Sequence, residues 1–210
     1  LRELTISGCR KLTPASVARL GLLPSLERLE ISECGLSLDG AAVTPLLALP
    51  QLSALDLGGN ELRADGVLAL CEPSGGAALR KLRLCGSAVN EECCLALMGR
   101  SLEALDLRMC GVTVESAQCV ALAMGGTLLS LALGDALLED AVSTCVPSLS
   151  ALRSLTLSAA TLSRADVAAI AMLPALTDLE LSSCRLCACA CSLRRTLSAL
   201  PSLRSLCLDL

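Results

Sequence analysis

An α/β solenoid, built from nine copies of one short strand-turn-helix unit, is the fold class this sequence predicts. Three observations predict it. Leucines recur as L-x-x-L-x-L from residues 1, 26, 52, 79, 102, 128, 152, 176 and 203, with separations of 23 to 27 residues. A helix-like stretch follows each of the first eight copies. Proline then recurs where that stretch must stop, in LPSL at 23, LPQL at 49, LPAL at 173 and LPSL at 200. A repeat of this length cannot bury its apolar side alone, so neighbouring units stack. Because a helix is wider than a strand, the stack curves. The expected result is a right-handed solenoid, with a parallel sheet on the concave face and helices on the convex face.

Within each unit the elements follow from spacing. The fourth and sixth positions share one face of a strand by period-2 alternation, and leucine there turns that face inward. The third, fifth and seventh positions are then presented outward. A turn with one more apolar residue comes next, at Leu36, Leu62, Val89, Val112, Leu138, Leu162 and Leu186. Helix-start signals follow: Thr13 before Pro14, Asn90 before Glu91 and Glu92, and Ser163 three residues before Asp166 in a capping-box spacing. The ninth position falls in the tight turn, where a small side chain reaches neighbouring backbone. It holds Cys9, Cys34, Asn60, Ser87, Cys110, Ala136, Ala160 and Cys184.

The pattern L-x-x-L-x-L-x-x-(C/N) resembles the leucine-rich repeat family across essentially all 210 residues. The first unit, LTISGCRKLTPASVARL, is similar to the cysteine-containing repeats common in F-box substrate receptors. LDLGGNELRADGVLAL, residues 55 to 70, is similar to ribonuclease-inhibitor and NLR-type repeats. What the resemblance implies is a non-catalytic interaction scaffold that holds a protein partner on its concave face or packs within a large assembly. The alternatives it implies are a recognition module of an F-box ubiquitin ligase, which needs an F-box upstream of Leu1, and an NLR-like or ribonuclease-inhibitor-like regulator.

Residues 1–210 read as a single domain of about eight and a half repeats. Leu1 begins a strand unit and Leu210 stops inside one, whereas solenoids need polar terminal caps. The expectation is a segment of a longer chain, or ends covered by a neighbouring protein. No charged segment followed by an apolar run opens the chain, so no signal peptide is read. The cysteine-rich, apolar composition points to a reducing compartment, cytoplasmic or nuclear.

Composition removes whole classes of chemistry. The chain has no His, Phe, Tyr or Trp. Triads built on histidine, histidine metal sites and base-stacking platforms are therefore excluded. A net charge of -4 argues against nucleic acid as partner. Mean hydropathy is high at +0.66, and Ser116 to Gly134 run uncharged. That run nevertheless straddles a helix-like and a strand-like half, with Gly125, Gly126 and Thr127 between, so it does not read as a membrane span. No phosphate-binding glycine loop, cofactor or small-molecule substrate is indicated.

Presented strand positions supply the candidate binding residues: Arg28, Glu30, Asp56, Lys81, Arg83, Asp106, Arg108, Asp178 and Glu180. Small residues in the sixth and seventh units would leave a smooth floor able to take an inserted helix or loop. Asp56 and Asp106 lie two strands apart, about 10 Å, which suits an inverting carboxylate pair only loosely, and no aromatic pocket accompanies them. A second candidate is CRLCACACSLRR, residues 184 to 195, with four thiols. Register assigns Cys184 to the turn ladder and Cys189 inward, leaving Cys187 and Cys191 four apart on a helix. Their Cβ atoms would be about 5–6 Å apart, too far for a disulfide, and zinc would lack a fourth ligand.

Overall fold

The computed structural model describes residues 1–71, 78–87, 89–97, 100–134, 141–186 and 200–209. The first four units contain β1 (Glu3–Ser7), α1 (Pro14–Leu20), β2 (Arg28–Ser32), β3 (Ser37–Leu38), α2 (Gly40–Leu47), β4 (Ala54–Asp56), β5 (Glu61–Leu62), α3 (Ala64–Cys71), β6 (Lys81–Arg83) and α4 (Glu91–Ala96). The next three contain β7 (Ala104–Arg108), α5 (Val114–Met124), β8 (Ser130–Gly134), α6 (Ala141–Cys145), β9 (Ser154–Ser158), β10 (Thr161–Leu162) and α7 (Arg164–Ala171). β11 (Asp178–Ser182), β12 (Arg185–Leu186) and β13 (Ser205–Asp209) follow.

One nine-stranded parallel sheet, in the order β1-β2-β4-β6-β7-β8-β9-β11-β13, runs through the molecule. Its register keeps each repeat position opposite the same position of the next unit, as in Leu4 to Leu29 and Leu131 to Leu155. That register aligns the inward leucines into continuous rows. Leu29, Leu55, Leu82, Leu105, Leu131, Leu155 and Leu179 are at most 2% exposed. Each such side chain contributes about 2 kcal/mol of hydrophobic stabilisation. The helices pack on the other side of these rows, α1 against α2 and so on to α7.

Local signals explain where the helices start. Thr13 Oγ1 accepts the Ser16 N–H, Asn90 Oδ1 the Cys93 N–H and Thr113 Oγ1 the Ser116 N–H. At α7 the capping box is complete: Ser163 Oγ accepts from Asp166 N at 3.2 Å, and Asp166 Oδ2 accepts from Ser163 N at 2.8 Å. Two aspartates also act between helices. Asp65 Oδ2 accepts the Gly40 N–H at the start of α2, and Asp166 Oδ1 accepts the Ser143 N–H in α6. Each carboxylate meets backbone donors that the preceding helix leaves open at its N-terminus.

The ninth positions form the expected ladder. Cys34, Cys110 and Cys184 are buried, and their thiols donate to Ser32 O at 3.3 Å, Leu84 O at 3.1 Å and Leu157 O at 3.4 Å. Asn60 does more, as its amide donates to Ile31 O at 2.7 Å while its carbonyl accepts from Cys34 N and Leu36 N. Cys9, in the first unit, is exposed. Ser87 is buried with no partner for its hydroxyl among the described residues. Ala136, Leu138, Cys187, Cys189 and Cys191 lie outside the described residues, so the reading of the thiol stretch rests there on Cys184 alone.

Three features depart from the sequence reading. The turn after the main strand is not plain turn in four units: β3 pairs with β5, and β10 with β12, as two-residue parallel ladders. Leu36 N and Leu38 O are bonded to the next unit, and this extends the regular pairing. Pro45 stands inside α2, although the prolines of LPSL, LPQL and LPAL mark stops. It lies in the second turn of an eight-residue helix, so it removes a single intrahelical bond.

The third departure is conformational. The eighth position is left-handed in every unit where it is described: Gly8, Glu33, Gly59, Gly86, Met109, Ala159 and Ser183, with φ from 53° to 83°. This turn lets each N–H donate to the seventh-position carbonyl of the next unit, as Glu33 does to Gly58 and Met109 to Gly134. The chain accepts left-handed strain in exchange for one more ladder bond per unit.

Candidate functional site

The outward rows of the sheet form a face that no other part of the described chain covers. A groove of about 500 Å³ runs along it from Glu3 on β1 to Thr156 on β9. Alternation aims the side chains: in β7 Leu105 and Leu107 are buried, while Ala104, Asp106 and Arg108 are half-exposed. The same rule presents Lys81 and Arg83 from β6, and Arg28 and Glu30 from β2. Seven of the nine predicted residues line the groove, namely Arg28, Glu30, Asp56, Lys81, Arg83, Asp106 and Arg108. Asp178 and Glu180 sit on the same face further along, on β11.

Inside the groove the charges are organised by one residue. Arg83 lies between Asp56 and Asp106, its register partners on either side, and donates from Nη1 to Asp56 Oδ2 at 3.0 Å. Its Nε lies 3.2 Å from Asp106 Oδ2. Asp106 is shared, since Arg108 reaches it through Nε at 3.0 Å and Nη2 at 2.8 Å. Partial burial works against the charge on Arg83, but Asp56 and Asp106 outweigh it and hold the guanidinium above its ordinary pKa. For Arg108 the hydrogen bonds to Asp106 are the main cause of a shift in the same direction.

Around this cluster the pairing thins out. Arg28 Nε is 3.7 Å from Glu3 Oε1, an exposed pair worth a few tenths of a kcal/mol at most. Glu30 accepts from Ser32 Oγ at 3.2 Å, and Glu180 from Ser182 Oγ at 3.0 Å and Thr156 Oγ1 at 3.4 Å. Asp178 accepts from Thr177 Oγ1 at 2.6 Å. Lys81 has no ion-pair partner among the described residues.

What sequence reasoning did not find is this linkage. The Asp56 to Asp106 spacing was legible, but not that Arg83 occupies the gap. Gly58 supplied a signal, since a side chain built there would come within 3.4 Å of Arg83 Nε and 3.5 Å of the Cys85 Cβ. Glycine at that outward position makes room for the arginine to lie along the sheet. Cys85, beside it, is half-buried, and burial followed by the charge of Asp106 raises its thiol pKa. It is not an activated thiolate.

Chemically, the groove holds its central carboxylates in ion pairs. Asp56 and Asp106 are each committed to arginine, so neither stands as a free acid or base across a pocket. Among the described residues no group of three or more Cys, Asp or Glu is placed to hold a metal. Nor is any described helix long and apolar enough to cross a membrane.

Residues 49–71 and 100–121, the stretches around α3 and β7, match the Leucine Rich repeat family. Internalin C2 from Listeria monocytogenes str. 4b F2365 superposes with a TM-score of 0.66, over 99% of this chain and 80% of that one, at 21% identity. The chain has the leucine-rich repeat fold. A second Listeria monocytogenes structure, an internalin (inlF), matches at 17% identity and a TM-score of 0.47, over 92% of this chain and 51% of that one. No curated protein matches by sequence. The likeness to internalin C2 concerns the fold: a leucine-rich repeat solenoid with its parallel sheet and flanking helices. Leucine-rich repeat proteins are typically non-catalytic interaction modules.

Proposed function

We propose that the chain is a non-catalytic scaffold that binds a protein partner in the groove on the sheet face. One observation carries the reading. A charged groove of about 500 Å³ crosses seven strands, with Arg83 locked at its centre and the small side chains of Ser130, Ala132 and Thr156 lowering its floor. A locked charge costs little side-chain entropy when a partner docks on it. A low floor admits an inserted helix or loop. The binding residues in this proposal are Arg28, Glu30, Asp56, Lys81, Arg83, Asp106, Arg108, Asp178 and Glu180.

Ala132→Trp fills the floor without adding charge. Affinity purification with mass spectrometry should recover partners with the parent chain and with the control Leu122→Gln on α5, and lose them with Ala132→Trp. Equal recovery with all three would remove the concave-face reading.

The thiol ladder favours a second, finer reading. Cys34, Cys110 and Cys184 act as S–H donors to backbone, a role that needs reduced cysteine and supports a reducing compartment. Repeats of that type also suit a recognition module of an F-box ubiquitin ligase. Sequencing upstream of Leu1 decides it, because an F-box there supports this reading and a nucleotide-binding domain there supports an NLR-like regulator.

A further inference from the structure

Resting on the reading of the sheet face as a protein-binding surface, we propose that its occupant is a lysine- and arginine-rich segment lying across the strands, along the central outward row. The register puts Glu30, Asp56, Arg83 and Asp106 in one line, followed by Ala132, Thr156 and Glu180. Four carboxylates in that row face one guanidinium, an excess of three negative charges. The outer rows balance: Glu3 and Asp178 stand against Arg28 and Lys81 in one, and Asp209 against Arg108 in the other. The chain carries a net -4 in all, so a single row on one face holds most of its imbalance.

Internal pairing cancels the excess only at the centre of the row. Arg83 and Arg108 together match Asp56 and Asp106, while Glu30 and Glu180 accept hydrogen bonds from hydroxyl groups and have no cation within 4 Å among the described residues. Arg153 and Arg204 border Asp178 at the rim where the strands begin, outside this row. A cationic segment in the groove would give Glu30 and Glu180 the charged partners they lack. An acidic one would meet two carboxylates without a cationic partner, half-buried Glu30 and exposed Glu180, and be repelled by both.

Dimensions agree with a short extended segment. Glu30 and Glu180 are six strands apart, about 29 Å at roughly 4.8 Å per strand. A twelve-residue peptide spans up to about 40 Å. Between Asp106 and Glu180 the row is only Ala132 and Thr156, low enough for the aliphatic stems of lysine and arginine to lie on it while their heads reach carboxylates on either side.

The test selects a random twelve-residue peptide library against the full chain in 50 mM NaCl, with Ala132→Trp and the isosteric double variant Glu30→Gln/Glu180→Gln as comparison targets. Enriched peptides should average a net charge of about +3 or more. They should weaken about fivefold or more between 50 and 250 mM NaCl, by a similar factor on Glu30→Gln/Glu180→Gln, and bind Ala132→Trp not at all. Neutral or acidic binders blocked by Ala132→Trp would overturn the basic occupant and leave the groove reading standing. So would basic binders indifferent to Glu30→Gln/Glu180→Gln. Binders that ignore Ala132→Trp, or a library that yields none, would overturn both.

Discussion

The side-chain carbonyl of Asn60 accepts the backbone N–H of Cys34, 3.1 Å away in the preceding unit, and this bond closes the turn. The same carboxamide serves Leu36 N at 3.2 Å, Ile31 O at 2.7 Å and Leu57 O at 3.0 Å. Asn60→Ala would leave four buried backbone groups short of a partner, and the expected loss is about 3 kcal/mol. Asn60→Cys should fall between the two, because a thiol can donate to a carbonyl but is a weak acceptor. Urea unfolding of the three proteins checks the order, which is wrong if Cys and Ala are equally destabilising.

At the same position one unit later, Ser87 has a buried hydroxyl without a partner among the described residues. Ala160 shows that a methyl group fits there, fully buried. Ser87→Ala should therefore raise stability by about 1 kcal/mol by removing an unsatisfied polar group. Thermal melts would show a higher midpoint, and a lower one would mean that the hydroxyl is engaged.

Backbone handedness gives a matched pair of outcomes. Met109 has φ 56° with its side chain 72% exposed, so it carries the left-handed cost with little packing in return. Met109→Gly should stabilise by about 1 kcal/mol. Gly59→Ala should destabilise by more, since φ is 69° and the new methyl would sit 2.9 Å from Glu33 Cγ and 3.2 Å from its Cα. If both substitutions shift the unfolding midpoint in the same direction, the left-handed assignment of this row fails.

Thiol ionisation sets an alkaline limit. Burial pushes the pKa of Cys110 and of Cys145 up to about 12, from an ordinary 9.0, and raises Cys71 by the same cause. A raised native pKa means that unfolded thiols release protons before native ones. The stabilisation is complete below about pH 9 and is lost as pH rises from there toward 12. Urea midpoints at pH 8, 9.5 and 11 should fall in that order. The fall should be shallower in Cys110→Ala/Cys145→Ala, and an unchanged slope would assign alkaline unfolding to other groups. At pH 8, among the described cysteines, alkylation should reach the exposed Cys9 and Cys207 first.

The fold was legible in the sequence because its signals are local. Leu29 and Ile31 face inward by alternation, and Ser163 caps α7 through Asp166 three residues on. The outward positions of all nine candidate residues followed from the same alternation. Their pairing did not, because the link from Arg83 to Asp56 spans 27 residues and the units differ in length. Which charges meet therefore depends on a register that only the assembled sheet fixes. The left-handed row was half visible in Gly8, Gly59 and Gly86, and Glu33, Met109, Ala159 and Ser183 hid it.

The bonds from the eighth positions share a direction with those that Asn60, Asp65 and Asp166 accept. In each, an N–H of one unit finds its acceptor on the unit that follows it in the chain: Gly8 on Ser32, Cys34 on Asn60, Gly40 on Asp65, Ser143 on Asp166. A ribosome delivers these acceptors late. Each described turn thus emerges with open donors and is closed about 25 residues afterwards, so that the newest unit is the least finished and the growing solenoid is sealed from behind.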